Sequence, residues 1–336
     1  MAKREGKYTV QLTQPPSVAG FGAVVGKKEK EGPLGDCFTA FETDTTLGQD
    51  SWEQSESELQ RRALREALAA AGRKSGTLQL LFGGDLLNQC IASGYGISET
   101  GVPFAGLYGA CSTMAEGIAL AALMCDGGAA DFAGAISSSH FCAAERQFRF
   151  PLEYGGMRAP ASQWTVTGSG CVLLQKGGSG VRVKRVCFGA VRDLGVCDIN
   201  NMGGAMAPAA ADTLLRFFQD TGTAPAHYDA VFTGDLGQVG SEILPQLLAR
   251  EGYTLDNHAD CGCLIFDSKK QNVKSGGSGA GCCASVLCGH ILPAMLKGRW
   301  KHILFVATGA LMSTTSFQQG SSIPAVAHLI EFSVQE

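Results

Sequence analysis

Residues 104–137 read FAGLYGACSTMAEGIALAALMCDGGAADFAGAIS, and the order of apolar and breaking residues in this stretch decides the fold. Phe104–Tyr108 is short and apolar and predicts a strand. Gly109-Ala110-Cys111 predicts a tight turn. The small residues of Thr113–Cys125 predict a helix that stops at Gly127, and Phe132–Ser137 predicts a buried strand. Strand, turn, helix and strand in this order make a βαβ unit, whose stable form is a parallel sheet covered by helices.

The same order returns further along. Leu81-Phe82-Gly83-Gly84-Asp85-Leu86 is echoed 150 residues on by Val231-Phe232-Thr233-Gly234-Asp235-Leu236, and Cys111–Ser137 is echoed 171 residues on by Cys282–Thr308. In both copies a helix of small residues ends at a glycine, Gly127 or Gly298, and leads into a strand. Two echoes in one order read as an internal duplication with an insertion in the second copy. The chain therefore divides into halves at 1–180 and 181–336.

Around these units the signals are plainer. Residues 1–50 predict short strands and loops, punctuated by Pro15-Pro16, Gly20, Gly22 and Gly32-Pro33. A helix follows, with Ser55 and Glu58 as a capping box, Leu59, Ala63, Ala67 and Leu68 on one apolar face, and Gly72 as its stop. Leu78–Phe82, Cys171–Leu174 and Val181–Cys187 predict strands. Residues 138–165 predict irregular chain.

Composition narrows the function. Hydrophobic residues make up 45% of the 336 residues and charged ones 17%, which predicts a large interior and a buried subunit interface. A net charge of −4 excludes the basic face a nucleic-acid binder needs. The 13 cysteines are odd in number, and Met1–Tyr8 lacks the apolar core of a secretory signal, so reduced, mostly buried thiols in a cytosol-like compartment are expected. The long charge-free stretches Gly276–Leu296 and Ile303–Ile330 carry glycine or polar residues throughout, so membrane contact would be peripheral. Cys261, Cys263, Cys282, Cys283 and Cys288 lack paired zinc spacing, and Gly276–Gly281 lacks the Lys-Ser/Thr of a phosphate loop. No metal or cofactor is expected.

Two α/β halves that meet at strand-turn-helix units resemble the thiolase-like fold, a duplicated α-β-α-β-α layered α/β architecture with two pseudo-twofold related halves. Tyr108-Gly109-Ala110-Cys111-Ser112-Thr113 resembles the cysteine turn of thiolases and ketoacyl-ACP synthases. Phe21–Lys27, Asp50–Glu53, Gly83–Leu86, Ser138–Phe141, Ala144–Gly155 and Gln163–Gly168 together resemble the stage V sporulation protein AD family over essentially the whole chain. That resemblance implies a thiolase-like protein that binds dipicolinic acid (pyridine-2,6-dicarboxylate). It implies membership of the stage V sporulation protein A complex of membrane proteins, which moves the calcium chelate into the developing spore and out at germination. It also implies a soluble protein, peripheral on the inner membrane of the developing spore, and a homodimer paired through Val102–Tyr108.

Cys111 sits where a helix N-terminus would favour its thiolate and where backbone N–H groups could form an oxyanion hole. A nucleophile also needs an oriented base. In synthases of the ketoacyl-ACP synthase III type a histidine follows the strand matching Ala230–Thr233; here Gly234-Asp235-Leu236-Gly237 stands there. The turn where an asparagine or second histidine is expected reads Lys274-Ser275-Gly276-Gly277-Ser278-Gly279. Cys111 is therefore read as the floor of a binding site, with no catalytic residues. A ketoacyl synthase-like acyltransferase using Cys111 is the alternative, and a scaffold with a vestigial pocket is a third.

A dicarboxylate on a flat ring needs convergent donors, positive charge and an apolar slot. The loop after Phe132–Ser137 offers Ser139 and His140, with Arg146, Arg149 and Arg158 beyond. His140 reads equally as a carboxylate donor or a satisfied loop histidine. Arg146 and Arg149 read as carboxylate forks or as surface residues flanking Phe148 and Phe150. Gly277 and its neighbours offer either an anion nest or close backbone packing. Asp85 and Asp235 hold equivalent places in the two copies and are candidates for ligand contact.

Overall fold

The computed structural model describes residues 2–148 and 158–335. In chain order the described strands are β1 (Lys3–Glu5), β2 (Thr9–Gln11), β3 (Ser17–Val25), β4 (Ala40–Phe41), β5 (Leu80–Gly84), β6 (Phe104–Gly106), β7 (Phe132–Ser139), β8 (Trp164–Thr165), β9 (Gly168–Gln175), β10 (Gly180–Phe188), β11 (Ala230–Thr233), β12 (His258–Asp260), β13 (Gly277–Ser278), β14 (His302–Ala310) and β15 (Ala325–Gln335). The α-helices are α1 (Lys27–Lys30), α2 (Trp52–Ala70), α3 (Ile91–Ser98), α4 (Thr113–Asp126), α5 (Phe141–Phe148), α6 (Met202–Thr221), α7 (Gly237–Arg250), α8 (Cys261–Ile265), α9 (Ala280–Val286), α10 (Leu292–Leu296) and α11 (Thr314–Gln318), with a π-turn over Leu287–Ile291 joining α9 to α10.

The duplication is written in the strand pairing. The main path of the large sheet runs β12-β11-β14-β15-β10-β3-β9-β7-β5-β6. Its first-half arm pairs β6, β5 and β7 in parallel, and then β9 and β3 antiparallel. The second-half arm repeats this with β12, β11 and β14 parallel and β15 and β10 antiparallel. The arms join where Arg182 of β10 faces Ser17 of β3. The fold is thus the thiolase-like duplicated α/β architecture.

Helix α4 lies between the arms and packs on strands of both. Its Met114, Ala115, Ile118, Ala119, Ala121, Ala122 and Cys125 are almost fully buried. A helix enclosed on all sides has to be apolar all round and small enough to fit between two sheets, which is why this segment is alanine-rich. Helices α9 and α10 share the middle layer. Outside, α2 and α3 cover the first arm, and α6 and α7 the second. The seam between α9 and β9 is backbone against backbone. A Cβ on Gly170 would lie 2.3 Å from the Ala284 carbonyl oxygen, and one on Gly281 would lie 2.2 Å from that of Gly168.

Three local expectations are corrected. The cap of α2 is Ser51, whose side chain accepts from the Gln54 N–H. Ser55 is already inside the first turn and donates to the Thr46 and Ser51 carbonyls. The strand expected over Leu78–Phe82 begins two residues later, at Leu80. Residues 141–148, expected to be irregular, are α5, with Ala143, Ala144 and Glu145 buried. Among the described residues no helix is long and apolar enough to cross a membrane.

Candidate functional site

The chain enters α4 through a turn in which Ala110 has φ +49°, left-handed backbone that an alanine adopts only under constraint. The constraint is local hydrogen bonding. Ser112 Oγ donates to the Gly109 carbonyl at 2.7 Å, Thr113 Oγ1 donates to that of Ala110 at 2.8 Å, and the Gly109 N–H donates to Thr113 Oγ1 at 3.1 Å. The second half closes on this turn through Gly309 of β14, where a Cβ would lie 2.2 Å from the Gly109 carbonyl oxygen. Cys111 is thereby buried at the meeting point of the halves.

Asp235, just past β11, comes to the same point. Its carboxylate is fully buried, accepts from Thr308 Oγ1 at 3.0 Å, Ser278 Oγ at 3.0 Å and the Gly279 N–H at 2.9 Å, and faces the Cys111 thiol. Burial raises its pKa above the ordinary carboxylate range, against those hydrogen bonds. Burial likewise pushes the Cys111 thiol well above its usual range, and the Asp235 charge adds to the shift. The lowering expected from a helix N-terminus does not hold here, because desolvation and a neighbouring anion both favour the thiol and outweigh it.

A pocket opens over Cys111. Leu86, Tyr108, Phe148, Met202, Met206 and Met312 form much of its wall, and Thr165, Ser278 and Glu145 supply polar groups. The Glu145 carboxylate accepts from Thr165 Oγ1 at 3.0 Å and pairs with Arg158 at 3.1 Å. The Arg158 guanidinium also donates to the Gln163 carbonyl at 2.5 Å and lies over the Trp164 ring at 5.2 Å. The slot is therefore apolar on most sides, with a buried ion pair at one edge.

Of the residues singled out in the sequence, Cys111 and Asp235 meet here, and Arg158 reaches the edge of the slot through its pair with Glu145. Gly277 lies next to the lining residue Ser278, but it is packed among Ile265, Val166 and Cys282, and its carbonyl accepts from Gln163 Nε2 at 2.7 Å. The Gly279 N–H, one of those that could have served an anion nest, is taken by Asp235. Ser139 is also committed internally, donating to the Val166 carbonyl at 2.6 Å and accepting from the Gly281 N–H at 3.0 Å.

His140 lines a separate cavity beside α1, where Nε2–H donates to the Thr45 carbonyl at 2.8 Å; burial lowers its pKa. Arg146 sits at the surface, paired with Glu53 and over the Trp52 ring at 5.1 Å. Arg149 lies outside the described residues. Asp85, the sequence twin of Asp235, turns away into a network of its own, accepting from the Leu87 N–H at 2.8 Å, the Ser93 N–H at 2.8 Å and Ser93 Oγ at 2.6 Å.

Glu145, Thr165 and the three methionines escaped the sequence reading. Met202 and Met206 stand one helical turn apart at the start of α6, a pattern indistinguishable in sequence from core packing. Among the described residues no group of three or more His, Cys, Asp or Glu side chains is placed to hold a metal ion.

Comparison with known proteins bears on this geometry. The profile of the family described as Stage V sporulation protein AD matches residues 6–333. The chain is 41% identical to Stage V sporulation protein AD of Bacillus subtilis (strain 168) over 331 residues, covering 98% of each. In structure it is similar to a variant of OleA from Xanthomonas campestris, with a TM-score of 0.62 and 16% identity over 96% of this chain and 99% of that one. It is also similar to cerulenin-bound OleA, with a TM-score of 0.59 and 16% identity over 95% of this chain and 97% of that one. At such identities the two OleA structures speak for the fold alone.

Proposed function

This chain belongs to the stage V sporulation protein AD family, and from that premise we propose that it is a non-catalytic dipicolinic acid binding protein. In this reading it serves uptake of the calcium chelate into the developing spore and its release at germination. It docks as a homodimer on membrane proteins of the stage V sporulation protein A complex, at the inner membrane of the spore.

The observation that carries the proposal is the pairing of Cys111 with Asp235 beneath a largely apolar slot. A condensing cysteine needs a base that takes its proton and a low thiol pKa. Here the thiol is pushed up and its partner is an anion. Among the described residues no histidine lines the cavity. The Glu145–Arg158 ion pair at its edge leaves the lining without net positive charge for a free dianion, and calcium chelation cancels the two ligand charges.

Calorimetric titration with dipicolinic acid, with and without calcium, tests this, with pyridine-3,5-dicarboxylate as control. Saturable binding selective for the 2,6 isomer and weakened in Cys111→Ala supports it. The absence of binding in both conditions removes it. A stable acyl adduct on Cys111 after incubation with an acyl-CoA, seen by intact mass, would establish the acyltransferase alternative in its place.

A further inference from the structure

Behind the wall of the Cys111 cavity lies a closed polar network that the binding site does not use. Glu56 and Gln60 of α2, Ser93 of α3, Ser138 of β7 and Asp85 are all fully buried. Ser138 Oγ donates to Glu56 Oε1 at 2.8 Å, and Ser93 Oγ donates to Asp85 Oδ2 at 2.6 Å. Both serine protons are thus committed to carboxyl groups. The Gln60 amide nitrogen donates to each serine oxygen at 2.8 Å, which fixes the orientation of the amide.

Two buried atoms then stand without partners: Gln60 Oε1 and Glu56 Oε2. They belong to residues four apart on one face of a helix, where side chains meet. Two acceptors cannot satisfy each other, but a protonated carboxyl can donate to an amide oxygen.

We propose that Glu56 is a neutral acid whose Oε2–H donates to Gln60 Oε1, and that this proton positions the wall of the Cys111 cavity through Asp85. Asp85 is the charged member, since it accepts three hydrogen bonds and donates none. Its bond to the Leu87 N–H fixes the loop that carries the lining residue Leu86 and then turns through left-handed Gln89 and Cys90. The groups facing Glu56 are Asp85 after β5, Glu53 on α2 and the backbone of His140 after β7. Burial first, and then the Asp85 charge, push the Glu56 carboxyl far above the ordinary range. Ionising it would place a second buried anion beside Asp85, leave Gln60 Oε1 unpaired and release the loop. Ligand affinity then depends on one buried proton, a coupling that rests on the cavity being the dipicolinic acid site.

The test compares the parent protein with Glu56→Gln and Glu56→Ala. Ligand-free thermal melts are followed from neutral to alkaline pH, alongside titrations with calcium dipicolinate at the same pH values. Glutamine reproduces the neutral acid without a proton to take up on folding, so Glu56→Gln is expected to melt above the parent at neutral pH by a margin that widens as pH rises until Glu56 ionises, while Glu56→Ala, which leaves Gln60 Oε1 unpaired, melts below Glu56→Gln throughout. Affinity of the parent falls by up to about tenfold per pH unit once Glu56 ionises, and that of Glu56→Gln stays level. Glu56→Gln melting as low as Glu56→Ala at neutral pH would overturn the neutral acid. Melts that shift while affinity does not would overturn the link to the wall. The melts need no ligand, so a protein that fails to bind dipicolinic acid still reveals whether Glu56 is neutral.

Discussion

The thiol of Cys111, from the first half of the chain, faces the carboxylate of Asp235, from the second. Each half alone offers one member of the pair. The contact exists because β11 and β14 bring Asp235 and Gly309 against the turn that carries Cys111.

This pairing sets a reactivity. With its pKa raised by burial and by Asp235, Cys111 of the folded protein is expected to alkylate with iodoacetamide at least roughly a hundredfold more slowly than exposed Cys197. Asp235→Asn removes the charge and narrows the gap. Peptide mass spectrometry over a time course measures both rates, and equal rates for Cys111 and Cys197 would refute the assignment.

Glu29 offers a test by pH. It is buried, one oxygen accepts from the Thr167 N–H at 3.0 Å, and burial raises its pKa from 4.5 to about 7. The folded state therefore holds the proton more tightly than the unfolded one. Stability is unaffected by this group below pH 4.5, falls as pH rises toward 7, and is level above. The loss amounts to about 3 kcal/mol. Glu29→Gln keeps the Thr167 contact and should flatten this part of the profile, so that the variant unfolds at higher denaturant than the parent at pH 8. A variant less stable than the parent at that pH would contradict the shift.

Gly309→Ala tests the closure of the halves. The added methyl would stand 2.2 Å from the Gly109 carbonyl oxygen, and nothing in that contact is a flexible side chain. The cost is expected to be about 2–4 kcal/mol, in the upper range for an overpacked core. Loss of the Cys111 cavity, read as loss of ligand binding in whatever fraction still folds, should accompany it. An unchanged melting curve would show that the seam can open at no cost.

His140→Ala separates structure from binding. Removing the imidazole leaves the Thr45 carbonyl without its donor, at a cost of about 1–3 kcal/mol. Since His140 lines another cavity, affinity at the Cys111 site should not change. A tenfold weaker ligand titration at full folding would return His140 to the binding site.

The proposed dimer rests on β6, the last strand on its side of the sheet, beside exposed Tyr95 and Tyr108. An unpaired edge next to exposed aromatic surface invites a second chain. Ala105→Lys in β6 should yield monomers by light scattering, and a parent that is itself monomeric would end the proposal.

How far the sequence carried the reading depended on the range of the interactions involved. The turn at Cys111, helix α4 and the equivalent strands β5 and β11 follow from local patterns repeated twice, so they were legible. The cap at Ser51 was missed because Ser55 and Glu58 form an equally good local pattern, and only the bonds of Ser55 to Thr46 and Ser51 place it inside the helix. Asp85 and Asp235 looked equivalent because their surroundings match up to the strand end. What separates them lies far away: Ser93 on α3 for one, Thr308 and Gly279 for the other. Glu145 gave no signal because its partners, Arg158 and Thr165, reach it only after the chain has folded back.

The glycine seam between β9 and α9 has a mechanical consequence. Side-chain interfaces absorb small displacements by changing rotamers, but main chain resting on main chain has no such slack. The two halves thus behave as one rigid casting along their shared axis. Whatever gives way when a ligand enters or leaves must be at the periphery, in α5, the head of α6 and the loop bearing Leu86. Variation between related chains in what they hold would then concentrate in those three segments, while the axis tolerates almost none.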